Sequence, residues 1–272
     1  MRSHKFSEPE LGFSLKRSAI ALSACFAFAM SVASCGGGSD KPLDATSANC
    51  FDDSTLTLGT KAVVNYTVSG HANGTRTETS TVSAVDGQFN GTGGLLVRTV
   101  GTTGEEVQAI PGVIPFPFNI LINDSIVLYE KLQATGVLAL YGTFDQGRFS
   151  TITEAYAPPY VDARNNLAVG ASATFIQLGT RTIATPIVGE LTSKPINGRI
   201  QVTFQGVEVL NLSRGLTPAC RYSVSVNDGP KSTEWLFRSV LVRREQPSTI
   251  PALAFAPEIL ELQSATINGA PL

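Results

Sequence analysis

Apolar and polar residues alternate with a period of two through most of this chain, and that pattern leaves little but antiparallel sheet as its fold. Ala62, Val64, Tyr66 and Val68 alternate with Lys61, Val63, Asn65, Thr67 and Ser69. Ile200, Val202 and Phe204 alternate with Arg199, Gln201, Thr203 and Gln205, and Tyr222, Val224 and Val226 with Arg221, Ser223, Ser225 and Asn227. Such a period puts each apolar row on one face of a pleated strand. Among these runs lie Asn73-Gly74, Asp86-Gly87, Asn90-Gly91, Asn197-Gly198 and Asp228-Gly229. Asn-Gly and Asp-Gly supply the positive φ angles of tight hairpins, so a turn is expected at each. Short strands with frequent turns predict antiparallel meanders. Pro257–Leu262 suits either a turn of helix or a closing strand. The expectation is an all-β domain over residues 51–272, built on one strongly curved antiparallel sheet. It takes the form of a half-barrel or a two-unit sandwich, with no substantial helix after the N-terminal segment.

Two finer patterns stand out. Leu56-Thr57-Leu58-Gly59 and Leu167-Ala168-Val169-Gly170 each precede a strand-like run, 111 residues apart. They suggest two related halves, 51–157 and 163–272, joined at Pro158-Pro159-Tyr160-Val161-Asp162. The stretch from Ile110 to Ile122 is strongly apolar yet carries Pro111, Pro115 and Pro117. Each proline removes a ladder donor, which bars the stretch from a central strand. It reads as a loop folded over the end of the core. The sharper reading is a ligand lid formed by Ile110, Val113, Ile114, Phe116, Phe118 and Ile120.

The N-terminal residues carry Lys16 and Arg17, an apolar run from Ser18 to Met30, and then Val32-Ala33-Ser34-Cys35 followed by Gly36-Gly37-Gly38-Ser39. A basic start, a short apolar core and small residues at the cut make a secretory signal. The apolar run falls short of the ~20 residues a membrane-spanning helix needs. Val32–Cys35 resembles the lipobox of bacterial lipoproteins, which implies cleavage of a signal peptide at residues 1–34 and lipidation of Cys35. More than one acyl chain anchors firmly. Gly36 in place of an aspartate implies, by the same resemblance, transport to the outer membrane. Residues 35–50 then form a Gly/Ser tether.

Removal of residues 1–34 leaves 238 of the 272 residues, with 16 basic and 20 acidic side chains. That mild acidity, without a basic block, speaks against a nucleic-acid partner. Cys50 and Cys220 remain besides Cys35. In an oxidising envelope they are expected to form a disulfide. Cys220 shares parity with Tyr222, Val224 and Val226, hence the apolar face.

Candidate chemistry is sparse. His71 is the single histidine after the leader, and no Gly-x-Ser-x-Gly elbow accompanies it. His-Glu-x-x-His, Cys-x-x-Cys and Walker motifs are absent. Asp52-Asp53 and Glu105-Glu106 would bind calcium only if further oxygens converged on them. Trp235 and Phe237 share a parity and read as core anchors. No catalytic residue, cofactor or metal site is assigned, although paired carboxylates for glycoside hydrolysis leave no spacing signature.

Asn49-Cys50-Phe51, the run from Gly198 to Val209, Ala219-Cys220-Arg221, Thr233-Glu234-Trp235-Leu236 and Val240-Leu241-Val242-Arg243 together resemble uncharacterised Gram-negative lipoproteins. In these a cysteine strand is followed by a Trp hairpin. More remotely, such all-β lipoproteins are similar to half-barrel lipoprotein carriers and lipid-binding lipoproteins. The leading expectation is a lipid-anchored, non-catalytic structural or interaction module of the cell envelope. Its partners would be the membrane, through the anchor, and an envelope protein. The alternative is a carrier or sensor of an apolar ligand held in the concave face, with a carboxylate hydrolase third.

Overall fold

The computed structural model of the chain describes residues 46–108, 118–133, 137–147, 150–185, 189–247 and 256–272. The expected signal peptide, the expected lipobox and Cys35 lie outside the described residues, as do Ile110, Val113, Ile114 and Phe116 of the expected lid. The strands are β1 (Lys61–Ser69), β2 (Ala72–Phe89), β3 (Thr92–Gln108), β4 (Phe118–Leu132), β5 (Leu138–Gln146) and β6 (Thr151–Asp162). They continue as β7 (Ser172–Thr185), β8 (Glu190–Leu212), β9 (Gly215–Val226), β10 (Ser232–Phe237), β11 (Val240–Gln246), β12 (Glu258–Ile267) and the two-residue β13 (Ala270–Pro271). Each pairs with its sequence neighbours, and β1 also pairs antiparallel with β12, from Ala62↔Ile267 to Ser69↔Ile259.

The sheet is therefore a closed barrel of twelve antiparallel strands, neither the half-barrel nor the sandwich that the sequence suggested. A half-barrel keeps two edges of unpaired N–H and C=O groups, and only closure removes both. Two further expectations fail with it. Asn73-Gly74 and Asp86-Gly87 lie inside β2, and Asn197-Gly198 inside β8, so these strands run to 18 and 23 residues. Gly74 is there because a Cβ would sit 2.0 Å from the carbonyl oxygen of Glu105 on β3. Turns do occur at Asn90-Gly91 and Asn227-Asp228, all at positive φ. Pro158 to Asp162 belongs to β6, and the joint is the following segment with its 3₁₀ turn at Arg164–Asn166. Glu258–Leu262 resolves as strand.

One end of the barrel, here the lower, carries the N-terminal segment and the β2–β3, β4–β5, β6–β7, β8–β9 and β10–β11 connections. Twelve strands spaced ~4.8 Å apart and tilted ~40° give a round barrel roughly 24 Å across its backbone. That is too wide for inward side chains alone to fill, and the lower half solves this with chain from outside the sheet. Ser47 is fully buried and donates through N to the carbonyl of Leu167 (3.0 Å) and through Oγ to that of Arg164 (2.7 Å). Cys50 is bonded to Cys220 on β9, with Cα atoms 5.9 Å apart. The carbonyl of Cys50 accepts from the N–H of Ser239 (2.7 Å), and Phe51 meets the Tyr222 ring edge-on at 6.5 Å. Around this plug pack Val64, Leu128, Leu140, Tyr160, Phe175, Ile200, Phe204, Tyr222 and Leu262. Residues 46–50, expected as the end of a tether, are thus part of the core.

The two Leu-x-[Leu/Val]-Gly segments occupy matching places. Gly59 donates to Val82 and Thr60 to Thr57, while Val82 donates to Thr60; Gly170 donates to Phe204 and Ala171 to Ala168, while Phe204 donates to Ala171. Each segment opens the first strand of a run of six.

Candidate functional site: the upper lumen

Register decides which side chains face inward. Tyr66 pairs with Arg76 on β2 and Leu262 on β12, and Arg76 pairs with Gly104 on β3. With Tyr66 and Leu262 in the core, Arg76, Glu78 and Ser80 face inward on β2, and Thr102 and Glu106 on β3. The other row of β2 reads Thr75, Thr77, Thr79, Thr81 and faces out.

The inward polar residues form a network at the seam where the barrel closes. Arg76, only 2% exposed, donates from Nε to Glu106 Oε1 (3.1 Å) and also from Nη2, and its Nη2 lies 3.5 Å from Glu258 Oε1. Arg244 on β11 donates from Nη2 to Glu258 Oε1 at 3.5 Å. His71, in the β1–β2 turn, places Nε2 3.7 Å from Glu258 Oε2. Burial works against the charge of Arg76, but Glu258 and Glu106 outweigh it and raise its pKa. Glu78 differs. It neighbours Arg76 and Arg244 electrostatically, yet neither hydrogen-bonds to it, and burial outweighs both to raise its carboxyl above the usual range. Tyr66 is raised well above its ordinary value, first by burial and then by the charge of Glu78.

The opposite wall is apolar and accessible. Ile122 and Ile126 on β4, Ile152 on β6, Ile183 on β7 and Ile196 on β8 carry inward parity, and all remain half-buried. Asp124 and Lys194 between them are exposed. Glu154 accepts from Arg181 Nε (2.7 Å) and from the Tyr156 hydroxyl. Solvent thus reaches the inner wall of the upper half on this side, whereas at the seam Val68, Ala72 and Leu260 are buried in the core. Phe118 and Ile120, the described members of the expected lid, belong to β4, where Phe118 pairs with Gln108 and Ile120 with Glu106.

Other sequence candidates separate. Glu105 faces out and Glu106 is bound to Arg76, so the pair cannot converge on a cation. Among the described residues no group of three His, Cys, Asp or Glu could hold a metal. Trp235 is 4% exposed but lies on the outer face, with Arg221 and Arg243 each 5.5 Å from its ring and Nε1 donating to Glu208 at 2.6 Å. Arginines cover its outward face, and it still belongs to the buried apolar cluster. A second buried cluster closes the bottom, where Arg164 donates to Asp162 (Nε, 2.8 Å) and Glu234 (Nη1, 3.2 Å). Cys50 and Cys220 are brought together as expected.

Sequence reasoning missed the seam network because its members sit at 76, 78, 106, 244 and 258. One signal was present: in Thr75-Arg76-Thr77-Glu78-Thr79 one row is uniform and the other charged. A uniform threonine row is a solvated wall, which leaves the charges to point inward.

Compared with known proteins, the chain matches no family model, no curated protein and no solved structure. The site must be read from its own geometry.

Proposed function

We propose that this chain is a lipid-anchored protein of the bacterial envelope that works by binding, with the upper lumen as receptor for a small amphiphilic molecule. The observation that carries the reading is the inner wall of the upper half, where isoleucines and polar side chains point inward and remain accessible. Wide closed barrels use such interiors to hold ligands. The outward threonine row of β2 suits a face standing in water, and the buried disulfide suits an oxidising compartment. Arginines neutralise Glu106 and Glu258, which suits these carboxylates to a structural and binding role more than to acid–base work. Native mass spectrometry of the protein gently released from its membrane tests this. A co-purifying amphiphile of defined mass is the expected result. A clean ligand-free mass from repeated preparations, with no binding of short-chain amphiphiles, overturns it.

A further inference from the structure

We propose that the lumen selects an uncharged, hydroxyl-bearing head on an aliphatic tail, with Glu78 accepting from the head. The inference rests on the binding role argued above and specifies its ligand. It starts from unequal pairing at the seam. Two guanidinium groups, Arg76 and Arg244, stand among three carboxylates, Glu78, Glu106 and Glu258. The hydrogen bonds of both arginines go to Glu106 and Glu258. Glu78 is left as an inward acceptor that keeps part of its surface accessible, beside the half-buried Ser80 and Thr102.

A second, independent observation concerns the donors. Arg76 and Arg244 are 2% and 3% exposed, and Nη1 of Arg76 and Nε of Arg244 are buried without an acceptor. A buried donor without a partner costs about 1–3 kcal/mol, so a ligand oxygen that accepts from it is favoured. The site therefore offers an acceptor and donors within one network. A cationic head can pair with Glu78 but cannot accept from the unmet guanidinium donors, and an anionic head is repelled by Glu78. A hydroxyl both donates and accepts, and brings no net charge into the lumen. The facing isoleucines suit an alkyl tail.

Three probes with the same eight-carbon tail test the proposal on the full mature protein below their micellar concentrations: octyl glucoside, nonanoate and octylammonium. Titration calorimetry is expected to show octyl glucoside binding at least about tenfold tighter than either charged probe, since about 1.4 kcal/mol of discrimination suffices. Glu78→Leu is expected to weaken octyl glucoside about tenfold, and the isosteric Glu78→Gln several-fold, with near-UV circular dichroism unchanged in both. Equal affinity for all three probes, a preference for a charged one, or glucoside binding indifferent to both substitutions overturns the head-group assignment and leaves the lumen a receptor. Failure of every probe to bind sinks the receptor reading itself.

Discussion

Separating Cys50 from Cys220 gives the most quantitative test of how the lower half is held. The bridge joins residues 170 apart in sequence. A loop of that length lowers the entropy of the unfolded chain by an amount worth roughly 5 kcal/mol at room temperature, an upper figure because native strain subtracts. For a domain of this size each kcal/mol moves the midpoint by about 2–4 °C. The double variant Cys50→Ser/Cys220→Ser, compared with the oxidised wild type, should melt about 10–20 °C lower. The folded plug should survive, because Ser47, Phe51 and the Cys50 carbonyl keep their partners on Arg164, Leu167, Tyr222 and Ser239. The urea m-value should rise, since an uncross-linked unfolded chain exposes more surface. A midpoint unchanged within about 2 °C would refute the entropic argument. A large fall with altered near-UV circular dichroism and no rise in m would instead mean that the bridge holds the plug in the native state.

Four further outcomes are expected. Glu78→Gln should raise thermal stability near pH 8, and the gain should vanish near pH 4. A carboxyl whose folded pKa is raised by burial destabilises the fold as pH climbs from its unfolded value, about 4.3, through its folded one; a pH-independent difference in melting would contradict this. Arg164→Ala should cost about 3–5 kcal/mol in urea unfolding, because Asp162 and Glu234 stay buried without their cation; a loss below about 1 kcal/mol would show that solvent reaches them. Trp235, the single tryptophan, should resist iodide quenching although it lies on the outer face, and Arg243→Ala should expose it; ready quenching of the wild type would deny the arginine cover. Cys35→Ala should abolish palmitate labelling and leave unprocessed precursor, whereas undiminished labelling would refute the lipobox.

The all-β character was legible because period-two alternation is local. So was the disulfide, since two cysteines survived the leader and Cys220 shared the apolar parity of Tyr222. Closure was not legible, because it depends on Val64 meeting Ala265 and Val68 meeting Leu260 across some two hundred residues. The turn signals failed where glycine served another purpose. Gly74 and Gly198 relieve crowding from Glu105 and Gln177 inside long strands, and a dipeptide does not tell that role from a hairpin. The candidate site was hidden for the same reason as the seam: a barrel assembles inward residues from distant strands, and charged ones read in sequence as a solvated face.

The seam network also bears on why β12 closes on β1 in one register. Arg76 on β2 reaches Glu258 on β12 across β1, so a single side chain ties both neighbours of the closing strand. A one-residue slip of β12 would turn Glu258 outward and bring Ile259 to the lumen, while Leu260 and Leu262 would leave the core. Arg76 would keep Glu106, but Arg244 would stay buried with its carboxylate gone, a loss of the order of 3–5 kcal/mol. Losing two buried leucines from the core adds about 1.5–3 kcal/mol each. Apolar burial and the ion pairs thus contribute comparable shares to the cost of misregister, and the ion pairs act at the upper end of the seam. The same charges that pin the seam are those that leave Glu78 unmatched. Closing a wide barrel around a solvated half and furnishing that half with a polar anchor are therefore consequences of one arrangement.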